Sequence, residues 1–139
     1  MKSGPVILID DDADDKDVFL DILKELGVPN PVIWFQNCDE AFAYLKKTSE
    51  QPFIIFCDLN LPGLPGLECK RKIDDDKELR KKSIPFVFCS TTADQKTVND
   101  AYTQMTVQGF FQKPNSYNEF RNMVRLIMDY WDQCRHPNS

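Results

Sequence analysis

The chain is short of nearly everything that would mark a metal-ligand cage, a membrane protein or a nucleic-acid binder. It has one histidine, five glycines and no C-x-x-C pair in 139 residues, so no zinc site is indicated. Its five cysteines, Cys38, Cys57, Cys69, Cys89 and Cys134, are odd in number and lie in apolar or helical stretches. They are expected to be reduced core thiols rather than a disulfide framework, with Cys57 and Cys89 packed on one face of the sheet. His136, in an Arg-His-Pro-Asn-Ser end, is expected to be neither ligand nor base. The longest apolar runs are about five residues, as in Phe53 to Cys57, against roughly 20 needed to span a bilayer. The start, Met1 to Pro5, lacks a signal-peptide apolar region, which makes a cytoplasmic location the expectation. Basic residues are outnumbered 17 to 22, for a net charge of −5. That balance disfavours direct contact with nucleic acid or an anionic membrane.

What is present is an alternation of short apolar runs with longer amphipathic stretches. Val6–Ile9, Val32–Phe35, Phe53–Cys57, Phe86–Cys89 and Phe110–Phe111 read as five strands. Helical stretches follow each one: Val18 to Leu26, Cys38 to Leu45, Val98 to Met105 and Phe120 to Trp131 with apolar residues at helical spacing, and a poorly patterned one from about Leu67 to Ile73. The charged stretch Asp74–Ser83 reads as a solvated helix end and loop. Strict βα alternation predicts an α/β fold, a (βα)5 doubly wound five-stranded parallel sheet of order 2-1-3-4-5, as in flavodoxin. The chain is expected to form one domain over 1–139, with its core over about 6–134 and a short tail over 135–139.

In such sheets ligands gather where the strands end, next to the reversal in strand order. Strand one ends in Asp10-Asp11-Asp12, strand three in Asp58, strand four in Ser90-Thr91-Thr92 and strand five in Lys113-Pro114. The order brings strands one and three together, so Asp10, Asp11 and Asp58 should share a pocket. Carboxylates that close need a raised pKa or a cation. An oxygen-only donor set suits Mg²⁺. A lysine and a hydroxyl opposite would serve a transferring phosphoryl group. Asp12, Asp14, Asp15 and Asp17 are expected to be solvated or helix-capping, and Thr92 to cap the fourth helix.

These residues resemble the receiver domains of response regulators, the CheY-like phosphoacceptors of two-component signalling, over about Val6 to Cys134. The signature is the acidic pair after strand one, then Asp58 with Pro62 four and Gly66 eight residues later. A hydroxyl closing strand four and Lys113-Pro114 complete it. The resemblance implies a stand-alone receiver in which Asp58 accepts a phosphoryl group from a histidine kinase or histidine phosphotransfer protein. Asp11, Asp58 and the carbonyl of Asn60 would ligate Mg²⁺, with Asp10 holding metal-bound water. Lys113 would pair with the acids and then with the phosphoryl group, and Pro114 would follow a cis peptide. The strand-four hydroxyl and the aromatic Phe110 would switch a surface made of the fourth helix, fifth strand and fifth helix. That surface would engage a downstream protein or a second copy in a homodimer.

Two positions depart from the pattern. Counting forward from Ile84-Pro85 puts the switch hydroxyl at Ser90, whereas counting back from Lys113 puts it at Thr91. Ser90 is preferred, because the later loop absorbs an insertion more readily than a strand does. Phe110 stands where many relatives carry tyrosine. Two other functions stay open. An aspartyl-nucleophile phosphatase would need an acid at position 60, where this chain has asparagine. A calcium module could use Asp10, Asp12, Asp14 and Asp21, but Asp15 stands where an EF-hand loop needs glycine.

Overall fold

The computed structural model describes residues 2–92 and 94–137. The strands are β1 (Val6–Ile9), β2 (Val32–Phe35), β3 (Ile54–Cys57), β4 (Phe86–Ser90) and β5 (Gly109–Gln112). The helices are α1 (Ala13–Glu25), α2 (Cys38–Lys47), α3 (Gly66–Asp75), α4 (Lys77–Lys82), α5 (Gln95–Gln104) and α6 (Tyr117–Gln133). All strand pairs are parallel and the order is β2-β1-β3-β4-β5, as the alternation predicts.

The strands' period of two sorts the core into two layers. Ile7, Ile9, Ile55, Cys57, Phe86 and Phe88 face α2, α3, α4 and α5 through Ala41, Leu45, Ile73, Leu79 and Ala101. Val6, Leu8, Ile54, Phe56, Val87 and Cys89 face α1 and α6 through Phe19, Ile22, Val124, Ile127 and Met128. β1 and β3 are buried along their whole length. Among the described residues no helix is long and apolar enough to cross a membrane.

Several expectations are corrected here. The charged stretch Asp74–Ser83 carries a helix of its own, α4. The Asp76 carboxylate caps it by accepting from Leu79 N at 3.0 Å, Leu79 is buried, and Ser83 ends it in the left-handed conformation. One buried leucine and one good cap outweigh the solvated composition. The expected fourth and fifth helices are therefore α5 and α6. The thiol expectation fails for one pair: Cys38 and Cys69 form a disulfide with Cα atoms 5.7 Å apart. The two residues open α2 and sit one turn into α3, which pack side by side, a proximity that cysteine spacing does not reveal. Cys57 and Cys89 lie on opposite faces of the sheet, because Cys57 is in register with Phe88 and not with Cys89.

The Lys113–Pro114 peptide is trans, with no cis bond among the described residues. Thr92 does not cap a helix. Asp94 caps α5 by accepting from Thr97 N at 2.7 Å. Within the expected tail, His136 is buried, stacked on Phe53 and hydrogen-bonded to the Phe53 carbonyl. Asn138 and Ser139 of that expected tail, and Met1 of the expected domain, lie outside the described residues.

Candidate functional site

Parallel register delivers the strand ends to one edge of the sheet. Ile9 is aligned with Cys57, so Asp10 and Asp58 emerge side by side. The backbone ties them: Asp58 N donates to Ile9 O at 2.9 Å, and Asp10 N to Phe35 O at 3.0 Å. Ser90 is aligned with Gln112, and Lys113 N donates to Ser90 O at 2.8 Å. Lys113 is thereby held across the same edge, opposite the acids.

Gly66 closes the loop behind Asp58. Its N–H donates to Leu59 O at 2.9 Å. A Cβ there would sit 2.3 Å from Asp58 O and 2.8 Å from the Leu59 Cα. The spacing of eight residues from Asp58 therefore marks a close backbone approach that only glycine permits. Gly63, in the same loop, has φ of +73°.

At the centre stands the Lys113 ammonium, 2.9 Å from Asp10 Oδ2, 3.0 Å from Asp15 Oδ2 and 3.3 Å from Asp58 Oδ2. Asp10 is buried, and burial raises its pKa above the ordinary value, with the Lys113 bond and the Asp12 N–H opposing. Burial by itself pulls Lys113 down, but the hydrogen bond and charge of Asp10 and the charge of Asp58 outweigh it, leaving Lys113 above its ordinary value. The nearby thiols are kept protonated: burial, then the charges of Asp58 and Asp10, push Cys57 well up. Burial takes Cys89 to about 12. Neither is a nucleophile at neutral pH.

Among the described residues, Asp10, Asp15 and Asp58 can offer ligand oxygens within 4.8 Å of one another. Three carboxylates against one ammonium leave two negative charges in an oxygen-only site. That donor set fits a hard divalent cation. Asp11 is exposed at the rim and is not one of the three. Asn60 N donates to Asp58 Oδ1 at 3.1 Å, and its side-chain amide donates to Thr92 Oγ1 at 3.2 Å.

Ser90 closes β4, fully buried, and its hydroxyl has no hydrogen-bond partner among the described residues. Thr91 is exposed. The Phe110 ring is half-buried, 5.6 Å from Phe88, and its N–H donates to the Tyr102 hydroxyl of α5 at 2.9 Å. Sequence reasoning missed Asp15, which it left among solvated acids. The signal was available in the cap. Asp12 caps α1 by accepting from Asp14 N and Asp15 N at 2.8 and 3.2 Å. Asp15 is then the third helical residue, and side chains in a helix lean toward its N-terminus, here toward the strand ends.

The family model for the response regulator receiver domain matches residues 6–125. Response regulator Rcp1 of Synechocystis sp. is 25% identical over 131 residues, covering 91% of this chain and 87% of that protein. Chemotaxis protein CheY-3 of Vibrio cholerae is 25% identical over 114 residues, covering 81% of this chain and 82% of its own. Among solved structures, the phosphorylated cyanobacterial phytochrome response regulator RcpA superposes with a TM-score of 0.87 at 25% identity, covering 98% and 99% of the two chains. The Mn²⁺-bound form of response regulator Rcp1 gives 0.81 at 24% identity, covering 94% and 95%.

Proposed function

Because the chain belongs to the response-regulator receiver family, we propose that Asp58 is its phosphoacceptor and that phosphorylation switches a protein-binding surface. The observation that carries the reading is Lys113 held between Asp58 and two further carboxylates at one end of the sheet, with the Ser90 hydroxyl, unpartnered among the described residues, closing the neighbouring strand. An Asp58 carboxylate oxygen attacks phosphorus and forms the new P–O bond. The bond from phosphorus to the donor breaks, and its electron pair leaves with a histidine nitrogen or a carboxylate oxygen.

Asp11, Asp58 and the Asn60 carbonyl would hold Mg²⁺, with Asp10 acting through water and Asp15 remaining on Lys113. The ion would neutralise charge on the phosphoryl oxygens when bound. Lys113 supplies the protein's own positive charge at the same oxygens. Ser90, with no bond to break, is free to donate to a phosphoryl oxygen, and Phe110 follows it inward against Phe88. The backbone link from Phe110 to Tyr102 carries that movement to α5. The output surface is then α5, β5 and α6, open to a downstream protein or a second copy of this chain.

The phosphoryl donor is a sensor histidine kinase or a histidine phosphotransfer protein, and the protein acts in the cytoplasm. The chain turns over no external substrate: it catalyses phosphorylation and dephosphorylation of its own Asp58. An aspartyl phosphatase is disfavoured because the residue two past Asp58 is Asn60, whose amide cannot protonate a leaving group. The test is incubation with a small acyl phosphate and Mg²⁺. Labelling of the wild type, lost in Asp58→Asn, supports the assignment. Sustained hydrolysis of an external phosphoester at about 1 s⁻¹ or faster would favour the phosphatase instead.

A further inference from the structure

An ammonium group has three N–H donors, and all three of Lys113 are engaged, by Asp10, Asp15 and Asp58. To reach a phosphoryl oxygen, Lys113 must give up one of these bonds. The three partners are not equally easy to leave. The Asp10 side chain is only 3% exposed, and stripping it of Lys113 would leave a buried charge uncompensated. Asp58 is the reacting residue and moves with the phosphoryl group itself. The Asp15 side chain is 37% exposed, so water can replace the lysine there at little cost. Asp15 also differs in origin: it comes from the first turn of α1, whereas Asp10 and Asp58 stand at strand ends.

We propose that Asp15 is a positioning residue that holds Lys113 in the unphosphorylated state and hands it to the incoming phosphoryl group, so that it acts as a brake on phosphorylation of Asp58. The inference rests on the phosphoacceptor reading above. It involves no new bond beyond that transfer. Lys113 exchanges one charged acceptor, the Asp15 carboxylate, for another, a phosphoryl oxygen, and stays protonated throughout.

The test compares the wild type with Asp15→Asn, Asp15→Glu, Lys113→Ala and the Asp15→Asn/Lys113→Ala double variant. Each is phosphorylated with a small acyl phosphate over a Mg²⁺ titration. Asp15→Asn is expected to accelerate phosphorylation about 3- to 10-fold, the range for one partly screened carboxylate charge close to the reacting group. The Mg²⁺ concentration giving half the maximal rate should stay the same. Asp15→Glu keeps the charge and should return toward the wild-type rate. In the Lys113→Ala background the Asp15→Asn effect should vanish, as required of a residue acting through Lys113.

A wild-type rate in Asp15→Asn would overturn the proposal. So would acceleration that persists without Lys113, which would mean simple charge repulsion. A raised Mg²⁺ requirement in Asp15→Asn would overturn it too, by making Asp15 a metal ligand. Failure of the wild type to be labelled at all would instead remove the phosphoacceptor reading. Asp15 is half-buried, and far-ultraviolet circular dichroism of each variant confirms its fold.

Discussion

Replacing Ser90 with alanine should stabilise the protein, contrary to the usual effect of a substitution at a fully buried position. The Ser90 hydroxyl has no solvent exposure and, among the described residues, no hydrogen-bond partner. A buried hydroxyl in that state costs about 1–3 kcal/mol. Alanine removes the hydroxyl with no bond to lose and leaves a space of only one oxygen. Allowing for some lost contact, the expected gain is about 1 kcal/mol. With a urea slope of roughly 1–3 kcal/mol per molar, the midpoint should rise by about 0.3–1 M at unchanged slope. The same variant should still be phosphorylated at Asp58 but should transmit less to the Phe110 surface, read as a smaller phosphorylation-dependent change in Tyr102 and Phe110 resonances. A loss of 1 kcal/mol or more on urea unfolding would show that the hydroxyl is bonded in the native state. Ser90 would then not be the free donor the switch requires.

Gly66→Ala should be costly: its Cβ would lie 2.3 Å from backbone oxygen, and relieving that contact moves Asp58 itself. A loss of about 2–3 kcal/mol, together with slower labelling of Asp58, is expected; normal stability would mean the loop is looser than described. Reducing the Cys38–Cys69 disulfide, which spans 31 residues, should cost roughly 3–4 kcal/mol by the loop-entropy relation, measured as a urea midpoint with and without reductant; an unchanged midpoint would contradict it. Asp10 has a pKa raised by burial, so its protonation favours the fold in full below the ordinary value of 3.8, and that contribution is lost as pH rises through the raised value. Without added divalent cation, Asp10→Asn should therefore gain in stability relative to the wild type between pH 4 and pH 7; a difference constant across that range would refute it.

How much of this was legible in the sequence depends on the kind of interaction. Strand positions and sheet order followed from short apolar runs and their alternation with helical stretches, because periodicity is a local signal. Asp58, Lys113, Ser90 and Asp10 were placed by the rule that chemistry collects at strand ends, and parallel register puts them there. Helix α4 was hidden because it is held by the Asp76 cap, one buried leucine and long-range bonds from Lys46 and from Lys82 to α2 and its end, in a stretch whose composition is otherwise that of a loop. The Cys38–Cys69 bond depends on how α2 meets α3 across 31 residues, which spacing does not encode. Asp15 was overlooked among six nearby aspartates, since nothing but the exact helix start separates the one that turns inward from those that face water.

The measurement that bears most directly on the central claim is the site of phosphorylation. Wild-type protein treated with a small acyl phosphate and Mg²⁺, then trapped by borohydride reduction and mapped by peptide mass spectrometry, should carry its modification at Asp58 alone. The signal should disappear when Mg²⁺ is chelated and in Asp58→Asn. Modification at another residue, or full labelling of Asp58→Asn, would contradict the account.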